Sequence, residues 1–179
     1  RQSLGFARGL DFMQGDPTDL LVVEFSGDEE SEVLARLDAL EAILGKRSLG
    51  YATTRLTTAA QQNEVADFRK AAQGLLMIVP GQAKPLAFVE DTAVSPEKLP
   101  EYVRRFDEIV KSHGTEAGYY GHASVGCLHI RPMINLRTPD GIVTFESMAT
   151  EISDLVQEFG GSMSGEHGDG IVRGVWTEK

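Results

Sequence analysis

Residues 117–136 read AGYYGHASVGCLHIRPMINL, and the fold turns on how this stretch is read. Two extended-looking arms flank Ser124-Val125-Gly126-Cys127, where Gly126 permits a positive φ, so the pattern predicts a β-hairpin. His122 and His129 lie one on each arm, seven residues apart. Seven residues of extended chain span about 23 Å, far beyond the reach of one ion. The chain must therefore reverse if both are to serve one site. With the turn centred on Val125-Gly126, Ser124 faces Cys127, Ala123 faces Leu128 and His122 faces His129. Opposed residues share a sheet face with Cβ atoms about 4.5–5.5 Å apart. Two imidazoles so placed can hold one divalent ion at about 2.0–2.1 Å each. A polar patch or two satisfied core histidines would suit the same spacing.

The elements on either side set the fold class. Residues 20–27 (LLVVEFSG) are apolar and bounded by turn formers, which predicts a strand. Val33, Leu34, Leu37, Leu40, Ile43 and Leu44 follow at helical offsets up to Gly45. SLGYATTRL reads as a second strand, residues 58–75 as a second helix, the apolar run 74–79 (GLLMIV) as a buried strand, and residues 86–90 as another strand. Pro96 and Pro100 introduce a helix carrying Tyr102, Val103, Phe106, Ile109 and Val110 on one side. Lys111 and His113 stand at its C-terminal end before Gly114, cations at the negative end of the dipole. Thr138-Pro139 opens a long helix with Met148, Ile152, Leu155 and Phe159 on its apolar face, closed by Gly160-Gly161. Alternating helices and short strands, with one tight hairpin, predict an α+β fold. Its expected form is a largely antiparallel sheet with helices layered on one face, a ferredoxin-like arrangement. Residues 1–18 read as an irregular lead-in segment and 19–179 as the domain proper.

Composition narrows the functions. The 179 residues are 41% hydrophobic and 25% charged, a globular balance. A net charge of −10 offers no basic stripe for phosphates, which argues against nucleic acid. No apolar run reaches the roughly 20 residues of a membrane helix. A single cysteine, Cys127, excludes an internal disulfide and suits a reducing compartment such as the cytoplasm. Beginning at Arg1 and ending at GVWTEK, the chain reads as a piece of a longer protein.

The hairpin histidines need a carboxylate, since catalytic ions of the zinc type take about three protein ligands. GEHGDG (165–170) offers Glu166 as an oxygen ligand, with Asp169 as a rival. His167, pointing the other way if the chain is extended, is left for proton transfer, for which imidazole suits neutral pH. An ordinary exposed turn is the plainer reading of the same residues. Cys127 is expected to be a small buried side chain.

YYGHASVGCLHIRP, followed by GGSMSGEHGDGIVRG, resembles the C-terminal domain of FAD-linked oxidases of the vanillyl-alcohol oxidase superfamily. That group includes D-lactate, glycolate and D-2-hydroxyglutarate dehydrogenases. FRKAAQGLLMIVPGQAKPLAFVEDTAV is also similar, and the likeness covers roughly residues 65–178. The resemblance implies a divalent metal, such as zinc, manganese or iron, on His122, His129 and Glu166. It implies His167 as base or substrate contact and Arg69 as a contact for the substrate carboxylate. Arg131, where relatives often place an asparagine contact, is expected to assist. The family's GHxGDGNLH motif has Asp and Asn where this chain has Val125 and Cys127. That variant resembles a subgroup of long proteins with an iron–sulfur module downstream.

The function so implied is oxidation of a D-2-hydroxy acid to a 2-oxo acid. FAD would be held mainly by another domain of the same protein, leaving the isolated fragment inactive. The partners implied are a small anionic 2-hydroxy acid, that FAD-binding domain and a second copy in a homodimer. The location expected is cytoplasmic, peripheral to the membrane at most. A non-catalytic metal-binding or interaction module, and an acid–base enzyme without metal, are the competing readings.

Overall fold

A computed structural model describes residues 12–76 and 78–176. The chain divides into two compact units, Arg1–Ala71 and Ala72–Lys179.

In the first unit, helix α1 (Glu30–Arg47) follows from the periodicity. Val33, Leu34, Leu37, Leu40 and Leu44 are half-buried along one face, while Ile43 is exposed. Glu30 and Glu32 sit in its first turn and Lys46 and Arg47 in its last, each complementing the helix dipole. Helix α2 (Ala59–Leu76) begins in this unit and carries Arg69. Thr58 and Gln61 exchange hydrogen bonds at its start, as in a capping box. The strands expected at 20–27 and in SLGYATTRL are not formed. Leu20, Leu21, Val22 and Val23 are exposed, and no described segment pairs with them. β-Propensity expresses fit to a neighbouring strand, and without that neighbour it produces no ladder.

The second unit is α+β and entirely antiparallel in its pairing. Its strands are β1 (Lys84–Pro85), β2 (Thr92–Ala93), β3 (Ala117–Gly118), β4 (Gly121–His122), β5 (Cys127–Leu128) and β6 (Arg131–Ile134). They form two three-stranded sheets, in the orders β1-β6-β3 and β2-β5-β4, where a single larger sheet was expected. The stretch read as a strand at 86–90 is instead a buried bend between β1 and β2. Phe88 and Val89 are both buried there, so the alternation of a one-sided strand is missing. Residues 74–76, placed in a buried strand by composition, end α2, and Ile78 is exposed; Met77 lies outside the described residues.

Helices α3 (Leu99–Ser112) and α4 (Pro139–Glu158) pack together and supply most of the core. Tyr102, Phe106 and Val110 of α3 meet Met148, Ile152, Leu155 and Val156 of α4. Fully burying each such side chain contributes roughly 1.5–3 kcal/mol. Phe88 stacks on Phe145 at 4.2 Å between centroids, pinning the bend to α4. Thr138 caps α4 by accepting the Gly141 N–H at 3.1 Å, and Pro139 stands in its first turn. A short helix, α5 (Gly170–Arg173), follows the glycine loop. No helix among the described residues is long and apolar enough to cross a membrane.

Candidate active site

The hairpin forms, but in another register. His122 pairs with Cys127 and Gly121 with Leu128, while the His129 N–H donates to the Tyr120 carbonyl at 2.7 Å. The expected pairing of His122 with His129 does not occur. A turn of 3-10 helix over Ala123–Val125, ended by Gly126 at φ 72°, takes up more chain than a two-residue turn. The slip is two residues, so both histidines keep the same face and become diagonal neighbours, within reach of long side chains. Their rings meet edge-on at 5.3 Å.

Glu166 completes the group. Its Oε1 lies 3.3 Å from His122 Nε2 and its Oε2 lies 3.4 Å from His129 Nε2. Two ligand bonds of about 2.1 Å at a tetrahedral angle put ligand atoms about 3.4 Å apart. The donor set thus fits a divalent ion in both type and spacing. His129 is buried, and its Nδ1 has no hydrogen-bond partner among the described residues. Burial pushes this imidazole below its ordinary pKa while the Glu166 charge pulls the other way, which favours the neutral, ligating form.

His167 does not point away from Glu166 as extended chain would require. Its ring stacks on His129 at 5.4 Å, with Nε2 3.8 Å from Glu166 and Nδ1 3.8 Å from Asp91. The side chain is 57% exposed, open to a substrate. Asp91, His129, Glu166 and His167 can each offer a ligand atom within 4.8 Å of the others. Asp169, the rival carboxylate, is not part of this group.

Asp91 belongs to this group although no motif in the sequence marks it as a site residue. It is fully buried, at φ 75°, and accepts the backbone N–H groups of Glu166 at 2.9 Å and His167 at 2.8 Å. Burial pushes its carboxyl up, but hydrogen bonds from the His167 N–H, the Cys127 thiol and the Glu166 N–H outweigh that and lower the pKa overall. Cys127 is buried as expected, and burial, with the Asp91 hydrogen bond, pushes its thiol up to about 12. Arg173 is likewise unmarked. It is buried and donates to the carbonyls of Glu90 and, at 2.7 Å, Gly168, clamping the loop from its far end.

The two predicted arginines fare differently. Arg131 is buried and its Nε donates to Glu90 at 2.7 Å, with the guanidinium 5.7 Å from the Tyr120 ring centre. It is an ion-paired group rather than an open fork. Arg69 is exposed on α2, in the first unit. His113, assigned to the end of α3, pairs with Glu151 at 2.9 Å.

Similarity to known proteins places the chain in a family. The family of FAD linked oxidases, C-terminal domain, matches residues 7–179. D-2-hydroxyglutarate dehydrogenase of Escherichia coli K12 is 35% identical over 159 residues, covering 85% of this chain and 15% of its own length. D-lactate dehydrogenase of Archaeoglobus fulgidus is 35% identical over 97 residues, 54% of this chain and 21% of its own. Glycolate oxidase subunit GlcD of Bacillus subtilis is 27% identical over 89% of this chain and 33% of its own. The chain thus spans only about 15% of the first of these relatives. It belongs to the family of FAD linked oxidase C-terminal domains.

Proposed function

We propose that this chain is the substrate- and metal-binding domain of a flavin-dependent dehydrogenase that oxidises a D-2-hydroxy acid to the 2-oxo acid. The observation that carries the reading is the Glu166 carboxylate set 3.3 and 3.4 Å from the Nε2 atoms of His122 and His129. When bound, a divalent ion on these three residues supplies Lewis acidity toward the substrate oxygens, and FAD held by another domain of the protein supplies hydride acceptance.

The chain's own residues do the rest. Glu166 and the two histidines fix where the hydroxyl and one carboxylate oxygen rest. His167, exposed beside them, takes the hydroxyl proton at Nε2, with its Nδ1 3.8 Å from the Asp91 carboxylate. Arg69 is assigned the substrate carboxylate on the likeness of its helix, a task for which a planar guanidinium fork is suited. Arg131, ion-paired with Glu90, is assigned an assisting contact on the family likeness.

The test uses the full-length protein, mixed anaerobically with D-2-hydroxyglutarate, D-lactate or glycolate while flavin absorbance is followed. At least one of these should bleach the flavin, and His167→Ala should slow bleaching about 100-fold or more. Bleaching by none of them, or full speed in His167→Ala, overturns the assignment. Metal content without any turnover would instead support a binding module.

A further inference from the structure

Asp91 stands where the hairpin and the glycine loop meet. Its N–H donates to the Leu128 carbonyl, beside His129, at 2.7 Å. Its carbonyl accepts the Gly165 N–H, beside Glu166, also at 2.7 Å. One residue's backbone therefore spans the two halves of the histidine–glutamate group. Its carboxylate adds the N–H groups of Glu166 and His167. The left-handed φ of 75° lets backbone and side chain both face the loop. Among residues other than glycine, Asp and Asn adopt that conformation most readily.

We propose that Asp91 is the positioning residue of this site, setting where the Glu166 and His167 side chains stand relative to the hairpin histidines. This rests on the reading of Glu166 as a ligand and His167 as the proton acceptor. A carboxylate offers about four acceptor positions, and the chain itself fills most of them. Oδ1 takes the Glu166 N–H at 2.9 Å and the Cys127 thiol at 3.4 Å. Oδ2 takes the His167 N–H at 2.8 Å, with the Ser164 hydroxyl, which also reaches the His167 carbonyl, 3.2 Å away and Arg173 3.5 Å away. An ion would have to displace these bonds, so Asp91 serves from behind the site rather than as a ligand. Nor is it chiefly the counter-ion of Arg173, whose shorter bonds go to the carbonyls of Glu90 and Gly168.

Two measurements on the full-length protein test this, for wild type, Asp91→Asn and Glu166→Ala. The first is zinc affinity and stoichiometry by chelator competition. The second is amide hydrogen exchange of the metal-free protein in the peptide covering residues 162–169. Asp91→Asn should still bind one zinc, but about 10–100-fold more weakly. Its loop peptide should exchange at least about tenfold faster while α3 and α4 keep wild-type rates. Unchanged affinity and exchange overturn the proposal. So does loss of all zinc, as in Glu166→Ala, because Asp91 would then be a ligand. If wild type binds no zinc, the functional reading fails by itself, and the exchange measurement still decides the role of Asp91. If α3 and α4 also open in Asp91→Asn, Ser164→Ala carries the test: local exchange should rise there, and an unchanged rate overturns the proposal.

Discussion

His122 and His129 are not opposed across their hairpin; they are diagonal neighbours whose rings meet edge-on at 5.3 Å. Because side chains alternate between the faces of a strand, an offset of two residues preserves the shared face and an offset of one destroys it. Inserting one glycine between Ser124 and Val125 is therefore expected to abolish the proposed metal binding, as is His129→Ala. Inserting two is expected to leave partial binding. Elemental analysis of the purified protein gives the answer, and equal metal content in all of them would remove the hairpin from the site.

Gly126 has φ 72°, and a Cβ there would lie 1.8 Å from the Val94 carbonyl oxygen. Left-handed strain and a backbone clash combine in Gly126→Ala. A loss of about 3 kcal/mol or more is expected, read as a lower urea midpoint.

Asp91 sets an acid limit. Its folded pKa lies below the ordinary 3.8, so between the two values the unfolded chain holds a proton that the folded chain does not. Stability from this group is complete above about pH 3.8 and is lost as pH falls through the lower, folded value. Asp91→Asn should flatten that part of the acid-unfolding curve. Urea titrations between about pH 2 and pH 5 would detect it, and identical slopes in the two proteins would count against it.

Cys127 should be inert. With its thiol pushed up to about 12 and its side chain buried, almost no thiolate exists at pH 8. Iodoacetamide should leave its peptide unmodified in the native protein and label it in denaturant. Rapid native labelling would contradict the hydrogen bond to Asp91.

Tyr102 donates its buried hydroxyl to the Thr92 hydroxyl at 2.9 Å, beside Asp91. Removing it leaves a buried oxygen without its donor. Tyr102→Phe should cost about 1–3 kcal/mol in a thermal melt, with the α3–α4 packing otherwise intact.

The helices were legible because their signals are local. Tyr102, Phe106 and Val110 repeat at helical spacing, and Thr138-Pro139 states where α4 begins. His122, Glu166 and His167 stood out because side chains of the right chemistry flank glycines, His129 because it lies on the other arm of the hairpin, and their roles came from the family resemblance. The hairpin register was not legible, since it depends on a 3-10 turn that neither Ser124 nor Val125 announces. Asp91 was hidden for another reason. It acts on backbone N–H groups 75 and 76 positions away, and backbone donors leave no trace in residue identity. Leu20–Val23 misled because apolar, β-branched composition reports a wish for a partner and not its presence.

Ala93 bridges Ser162, and the Gly165 N–H reaches back to Asp91, so the glycine loop closes on chain laid down about 70 residues earlier. Contacts of such separation carry a loop-closure cost that the local helices do not. During synthesis the two histidines thus emerge long before the carboxylate that joins them. At the proposed metal site, an ion meeting the nascent hairpin would find only two nitrogens, and tight capture would wait for the last residues of the loop.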